Sequence, residues 1–324
     1  MDVRWGVAGT GRISGRFADA MGWVDGGRIV AVGSRTARAA EEYGDRYGVE
    51  RRHHSYDSLA ADPEVDAVYI GTPHSRHETD AVRFLEAGKH VLCEKPMALS
   101  AAQVRRMRDA AVDHGRFLME ALWSRFLPSY VRLSDLLAEG RIGPIRQVEA
   151  SFGFEAKFEP SHRLFDRALG GGALLDLGIY PLQLCSLVLG GPDRIEAVAH
   201  VGSTGVDEQI AALLHHPDGA LGVVQASLRS SLRCDARIVG ETGVIDLPAF
   251  MHRPDHLIVT SAGGIERIDA GWDGDGMQFQ IAEVHRCLAA GLTESPVVPL
   301  DESLRLATTM DTILRQVGVA YDDA

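Results

Sequence analysis

Apolar and polar positions follow two different rhythms along the chain. Over the first 120 residues, short apolar runs at 3–8, 28–33, 65–70, 89–93 and 117–119 are each too short for a helix and long enough for a buried strand. Helix-length amphipathic segments stand between them: one ends near Met21, one runs over 80–87 and is stopped by Gly88, and one opens on the capping box Ser100-Ala101-Ala102-Gln103. Strands alternating with helices predict a parallel, doubly wound sheet. From about Gln147 the rhythm changes. Residues 147–152, 195–200, 209–214, 221–228 and 236–245 read as strands, with one glycine-led helix inserted after the first. That pattern predicts an open, largely antiparallel sheet, with Gly240-Glu241-Thr242-Gly243 as a hairpin turn. Two amphipathic helices, 277–290 and 303–317, close the chain. The expected fold class is α/β: a doubly wound domain over 1–123, then an α+β domain over 124–324.

Polar chemistry gathers at the carboxyl ends of the first-domain strands, where open α/β sheets bind ligands. Gly9-Thr10-Gly11-Arg12-Ile13 follows the first strand and opens a helix, the arrangement in which free N–H groups cradle a pyrophosphate. Ser14 replaces the third glycine of the dinucleotide fingerprint and is small enough to keep helix and strand close. After the second strand, an NAD site carries an acid for the ribose 2′-hydroxyl; here Ser34, Arg35 and Arg38 stand instead. A hydroxyl and two guanidinium groups suit a 2′-phosphate, so NADP is expected over NAD. Thr72-Pro73-His74 and Lys95-Pro96 close the third and fourth strands. The proline fixes the backbone beside Lys95.

The stretch Gly170-Gly171-Gly172, with the helix that follows it, is the second concentration of chemistry. Asp176 and Tyr180 are four residues apart, so on a helix they share one face. A carboxylate and a phenol there can relay a proton, or can be a hydrogen-bonded pair in a buried helix. The glycines allow a sharp turn or a close approach to something flat. Pro181 is costly inside a helix, about 3 kcal/mol, and predicts a kink or distortion there.

A chain of 324 residues is long enough for two domains with substantial cores. The formal charge of −12 and the lack of an aromatic-basic segment argue against nucleic acid as a partner. No secretion pattern opens the chain, and no apolar run approaches the ~18 residues that span a bilayer. Cys93, Cys185, Cys234 and Cys287 are far apart, which fits reduced thiols in a cytoplasmic protein. The pairs His53-His54 and His215-His216 invite a metal reading, but the second runs into a turn, and no metal is expected.

Together these residues resemble the glucose–fructose oxidoreductase and inositol dehydrogenase family, most of all its branch of dimeric dihydrodiol dehydrogenases and NADP-dependent D-xylose dehydrogenases. The resemblance covers nearly the whole chain. It rests on Gly9-Thr10-Gly11, Gly71-Thr72-Pro73, the run from Ala87 to Pro96, the run from Met119 to Phe126, and Gly170 to Tyr180. It implies a Rossmann domain, then a mixed α/β domain whose open sheet joins subunits in a homodimer or larger homo-oligomer. It implies that Lys95, Asp176 and Tyr180 line the active site and that Arg163 meets the phosphate or nicotinamide end of the cofactor. Thr72, Pro73, His74, His77, Glu94 and Lys95 join the glycine turn, Ser34, Arg35 and Arg38 in the expected cofactor set. His74 departs from the asparagine of many members. Tyr180 departs from the histidine of inositol dehydrogenase-like members, which favours the sugar and dihydrodiol branch.

The expected chemistry is hydride transfer between a nicotinamide and a hydroxyl or carbonyl of a sugar, sugar derivative or cyclic trans-diol. Tyr180 is the expected general base; its unperturbed pKa near ~10 is lowered by a nearby ammonium, for which Lys95 is the candidate. Lys95 can also donate to the substrate oxygen, and Asp176 can orient Lys95 or a substrate hydroxyl. Trp123 and Phe126 supply an apolar wall for the substrate. Two other readings stand beside this one: an NAD-dependent glycoside hydrolase that oxidises transiently, and a non-catalytic nucleotide sensor.

Overall fold

The computed structural model describes residues 2–321. Six strands, β1 (Val3–Ala8), β2 (Gly27–Gly33), β3 (Arg51–His53), β4 (Ala67–Ile70), β5 (His90–Glu94) and β6 (Leu118–Ala121), lie in the order β3-β2-β1-β4-β5-β6. Every neighbouring pair is parallel. Right-handed crossovers demand helices between parallel strands. These are α1 (Arg12–Met21), α2 (Ala37–Tyr47), α3 (Tyr56–Ala60), α4 (His77–Glu86) and α5 (Ala101–Asp113). Strand order runs outward in both directions from β1, so the crevice beyond β1 and β4 is a topological switch point. The core there is aromatic: Phe17 of α1 stacks on Tyr69 of β4 at 4.0 Å, and Trp5 of β1 meets Phe17 edge-on at 5.3 Å.

The second sheet contains eight strands. These are β7 (Ile145–Gly153), β8 (Arg194–Val201), β9 (Asp207–His215), β10 (Leu221–Ser227), β11 (Ala236–Gly240), β12 (Gly243–Leu247), β13 (His256–Ser261) and β14 (Gly264–Asp269). Their order is β14-β13-β12-β11-β7-β10-β9-β8. All pairs are antiparallel except β7–β10, which is parallel, so the sheet is largely antiparallel, as expected, with one parallel pair near its centre. The stretch 236–245, expected as strand with a hairpin turn at 240–243, is two strands, β11 and β12, joined by that turn. One face of the sheet is covered: α6 (Pro128–Ala138) packs on β13, and α7 (Ile179–Leu189) packs on β7 and β10. Ile210, Ala212, Leu214, Val224, Ala226, Val148, Ala150 and Ile238 alternate onto this buried face.

The helix expected from the glycine triplet differs from a regular α-helix. Leu174–Gly178 forms a wide π turn in which the Ile179 N–H reaches Leu174 O, and α7 begins only after it. The expected distortion lies on the N-terminal side of Pro181. Proline lacks an N–H and its ring crowds the carbonyl one turn back, and a widened turn relieves both. Counted from Arg167 to Leu189, this helical stretch is long and apolar enough to cross a membrane, contrary to the expectation that no run approaches that length. Of its most apolar 18 residues 72% are buried within the protein, as in the core helix of a folded domain.

Contacts group the chain into two units, Met1–Phe126 with Asp273–Leu304, and Leu127–Trp272 with Arg305–Ala324. The parallel sheet belongs to the first, which also takes α8 (Gln278–Ala289). There the Trp5 indole N–H donates to His285 Nε2 at 2.9 Å, while His285 Nδ1 lies 3.1 Å from Asp25 O, which fixes the neutral ring with its proton on Nδ1. The chain passes from the first unit to the second within α9 (Leu300–Gln316).

Candidate active site

In the first unit the turn after β1 is shaped to receive an anion. Gly9 has φ +93°, and a Cβ there would lie 2.9 Å from Gly71 O, so the β1 and β4 ends approach as only glycine permits. Gly11 caps α1 without a side-chain hydrogen bond, the first turn of α1 holds no acid, and open space lies beside Gly11. The N–H groups and positive end of the helix dipole are therefore left for a ligand. Thr10 and Ile13 are half-buried and Arg12 is exposed beside them. Ser14 is fully buried. These features fit a dinucleotide pyrophosphate.

Ser34 is buried at the end of β2, with its Oγ 3.5 Å from the Thr36 N–H. Arg35 and Arg38 are exposed, and Arg38 makes only a long 3.5 Å pair with Glu42. Thr36 caps α2 by accepting from the Ala39 N–H, a capping role not read from the sequence.

Several expected cofactor residues turn out to hold the strand ends together. Thr72 Oγ1 donates to Asp80 at 3.0 Å. His77 is fully buried, with Nδ1 2.8 Å from Pro96 O and Nε2 2.9 Å from Thr72 O. Both partners are acceptors, so both bonds together need the imidazolium, while burial pushes the ring pKa down. Glu94 is buried; it accepts from the Tyr69 hydroxyl at 2.7 Å and from the Lys95 N–H at 3.3 Å, and burial raises its pKa. Pro73 and His74 are half-buried, and His74 meets His77 edge-on at 5.6 Å.

Lys95 itself is half-buried on a turn gripped from both sides. The Lys95–Pro96 peptide is cis, His77 holds Pro96 O, and Glu120 accepts the Met97 N–H at 2.9 Å. Glu120 was not singled out from the sequence; burial pushes its carboxyl up to about 7. Trp123 and Phe126 are buried to 4% and 8% exposure, and the Arg16 guanidinium lies over the Trp123 ring at 5.2 Å.

In the second unit the structure brings Arg163, Asp176 and Tyr180 into one neighbourhood. Arg163 donates to both oxygens of the buried Asp176, at 3.0 and 3.4 Å. The sequence gives these two residues separate roles and does not pair them. Tyr180 is half-buried and sits in an aromatic cluster with Phe152 at 5.3 Å and His252 at 4.9 Å. His252 comes from the loop after β12, at a position that no periodicity marks. Among the described residues no group of three His, Cys, Asp or Glu side chains could hold a metal ion.

Comparison with known proteins fits this geometry. Residues 3–122 match the family model of GFO/IDH/MocA oxidoreductases with an NAD-binding Rossmann fold, and residues 130–246 match the GFO/IDH/MocA C-terminal domain. Over 99% of this chain and 100% of the relative, the sequence is 36% identical to trans-1,2-dihydrobenzene-1,2-diol dehydrogenase of Xenopus laevis. The structure is similar to an aldose-aldose oxidoreductase from Caulobacter crescentus complexed with glycerol, with TM-score 0.89, 27% identity and 98% of each chain covered. It is also similar to a 3-ketoreductase from Actinomadura kijaniata in complex with NADP and TDP-benzene, with TM-score 0.87, 28% identity and 98% of each chain covered. That reductase has also been solved with a tyrosine changed to phenylalanine and with a lysine changed to alanine. The chain belongs to the GFO/IDH/MocA family of oxidoreductases. It is an enzyme, a nicotinamide-dependent dehydrogenase or reductase built from a Rossmann domain and an α+β domain.

Proposed function

We propose that this enzyme uses NADP to move hydride between the nicotinamide and a hydroxyl or carbonyl carbon of a sugar, sugar derivative or cyclic trans-diol. The full-length likeness to a trans-dihydrodiol dehydrogenase carries the reading of the substrate class. The preference for NADP rests on Ser34, Arg35 and Arg38, which stand where an NAD site has an acid. The NADP-bound 3-ketoreductase is in keeping with it. Four free, buried cysteines support a cytoplasmic location, and the uncovered sheet face supports a homo-oligomer.

When bound, the nicotinamide supplies a hydride acceptor, or in reverse a donor, at its C4. Loss of hydride from an alcohol requires loss of the hydroxyl proton too. Tyr180 takes that proton as general base and returns it as acid. The Lys95 ammonium donates to the substrate oxygen. Asp176 accepts from a second substrate hydroxyl, its charge and orientation held by Arg163. The neighbour's solved tyrosine and lysine variants mark the same two residue types.

The test is a screen of purified protein with NADP⁺ against cyclic trans-diols, aldoses and inositols, followed at 340 nm. NADPH formation with a diol or sugar is expected. Sugar release without net NADPH, or no redox change in either direction, would overturn the proposal.

A further inference from the structure

Two groups remote in sequence grip the glycine triplet that precedes the Asp176–Tyr180 turn. Asp207, the first residue of β9, is fully buried, and its Oδ2 accepts the Leu174 N–H at 2.7 Å where the π turn begins. Among the described residues its Oδ1 has no donor within hydrogen-bond geometry. That oxygen lies against Gly172, which has φ +122° and whose Cβ, were there one, would be 2.5 Å from Oδ1 and 2.8 Å from the Tyr321 hydroxyl. Tyr321 follows α9 in the C-terminal tail and donates its hydroxyl to Gly171 O. The closeness that glycine permits here is to the protein's own carboxyl and phenol.

The grip reaches the reacting groups by a short path. The Gly172 N–H donates to Leu164 O at 2.9 Å, which ties the triplet to the segment carrying Arg163. Arg163 in turn holds Asp176. Asp207 and Tyr321 thus anchor the loop at residues 171–174, and the Gly172 N–H carries that anchoring to Leu164, next to Arg163. Burial raises the Asp207 carboxyl to about 7 and raises the Tyr321 phenol further from its ordinary value. In this buried site the protonated carboxyl is favoured over the carboxylate.

We propose that Asp207 and the tail residue Tyr321 are positioning residues that hold the glycine-triplet turn so that Asp176 and Tyr180 keep their working orientation. The proposal rests on the assignment of Asp176 and Tyr180 to the active site. It goes beyond that assignment in making Tyr321, on the segment after α9, a support of the active-site turn.

The experiment pairs Tyr321→Phe, Asp207→Asn and Asp207→Ala with three readouts: hydrogen exchange over residues 164–180, steady-state kinetics, and NADP affinity. The phenylalanine variant removes one hydroxyl and the asparagine variant keeps the acceptor for Leu174, so both preserve shape. Expected for Tyr321→Phe are exchange over 170–176 about tenfold faster, kcat lower by about tenfold, and KM and NADP affinity within twofold. Expected for Asp207→Asn is near-normal kcat, and for Asp207→Ala a loss at least as large as that of Tyr321→Phe. Unchanged exchange in Tyr321→Phe overturns the proposal, as does faster exchange with unchanged kcat. If the unmodified enzyme turns over no alcohol or ketone, the functional assignment fails, and the exchange measurement still decides whether the grip exists.

Discussion

Replacing Asp207 with asparagine should change how stability depends on pH. The folded-state pKa of about 7 stands well above the ordinary 3.8, chiefly because the carboxyl is buried. The folded protein therefore holds this proton more tightly than the unfolded chain does. The associated stability is fully present below about pH 4 and is lost as pH rises toward 7. Raising the pKa from 3.8 to about 7 corresponds to ~4 kcal/mol in full, of which ~2–3 kcal/mol falls between pH 5 and pH 8. Asparagine keeps an acceptor for the Leu174 N–H and cannot ionise, so the variant lacks this slope. Glu120, also raised to about 7 by burial, gives a slope of the same sign in both proteins and cancels in the comparison. The assay is urea unfolding of both proteins at pH 5 and pH 8, each fitted for midpoint and slope. The stability of wild type relative to Asp207→Asn should fall by ~2–3 kcal/mol between the two pH values. Parallel profiles, within ~0.5 kcal/mol, would refute the reasoning that burial keeps this carboxyl protonated.

Gly172→Ala places a methyl against Asp207 and Tyr321 at a φ that only glycine adopts readily, and should destabilise by roughly 3 kcal/mol or more; a melting temperature within 2 °C of wild type would contradict this. Ser34→Asp combined with Arg35→Ala and Arg38→Ala should move the NADP-to-NAD preference in kcat/KM by tenfold or more toward NAD, and an unchanged ratio would show that these groups do not face a 2′-phosphate. Val198, 72% exposed on β8, and Leu213, paired with Val223 across β9–β10, lie on the uncovered face of the eight-stranded sheet. Val198→Glu with Leu213→Glu should therefore shift the mass seen by light scattering toward the monomer, and an unshifted mass would place subunit contacts elsewhere. Phe17→Ala, which empties the stack between α1 and β4, should cost ~3–5 kcal/mol in urea unfolding and lower cofactor affinity, whereas a loss under 1 kcal/mol would argue against that packing.

Much of this architecture could be read from periodicity. Short apolar runs with glycine turns after them marked β1, β4 and β5, because strands buried on both faces have no polar alternation. The hairpin β13–β14 escaped for the opposite reason: β14 is exposed on nearly every residue, so no apolar face marks it. The parallel pairing of β7 with β10 was hidden because pairing partners are set by long-range topology, whereas local pattern reports only that a strand exists. The site was legible where residue type alone carries chemistry, as at Gly9, Lys95, Asp176 and Tyr180. The relations among them were not. Arg163 is expected at the cofactor, and the structure shows in addition that it lies on Asp176 thirteen residues on, brought there by the turn at Gly172. His77 belongs to the expected cofactor set, and its burial between two backbone carbonyls becomes visible only when the β4 and β5 ends are seen together. Asp207 and Tyr321 gave no signal, since neither belongs to a motif and their partners are backbone groups.

Rapid-mixing measurement of the hydride-transfer step across pH, in wild type, Tyr180→Phe and Lys95→Met, tests whether the phenol and the ammonium serve one reaction. Each variant should bind NADP normally and transfer hydride ~10²–10⁴-fold more slowly, and the rise of rate with pH expected of wild type should be missing in Tyr180→Phe. A tyrosine variant within a few fold of wild type, with its pH profile intact, would contradict the assignment of Tyr180 as the base.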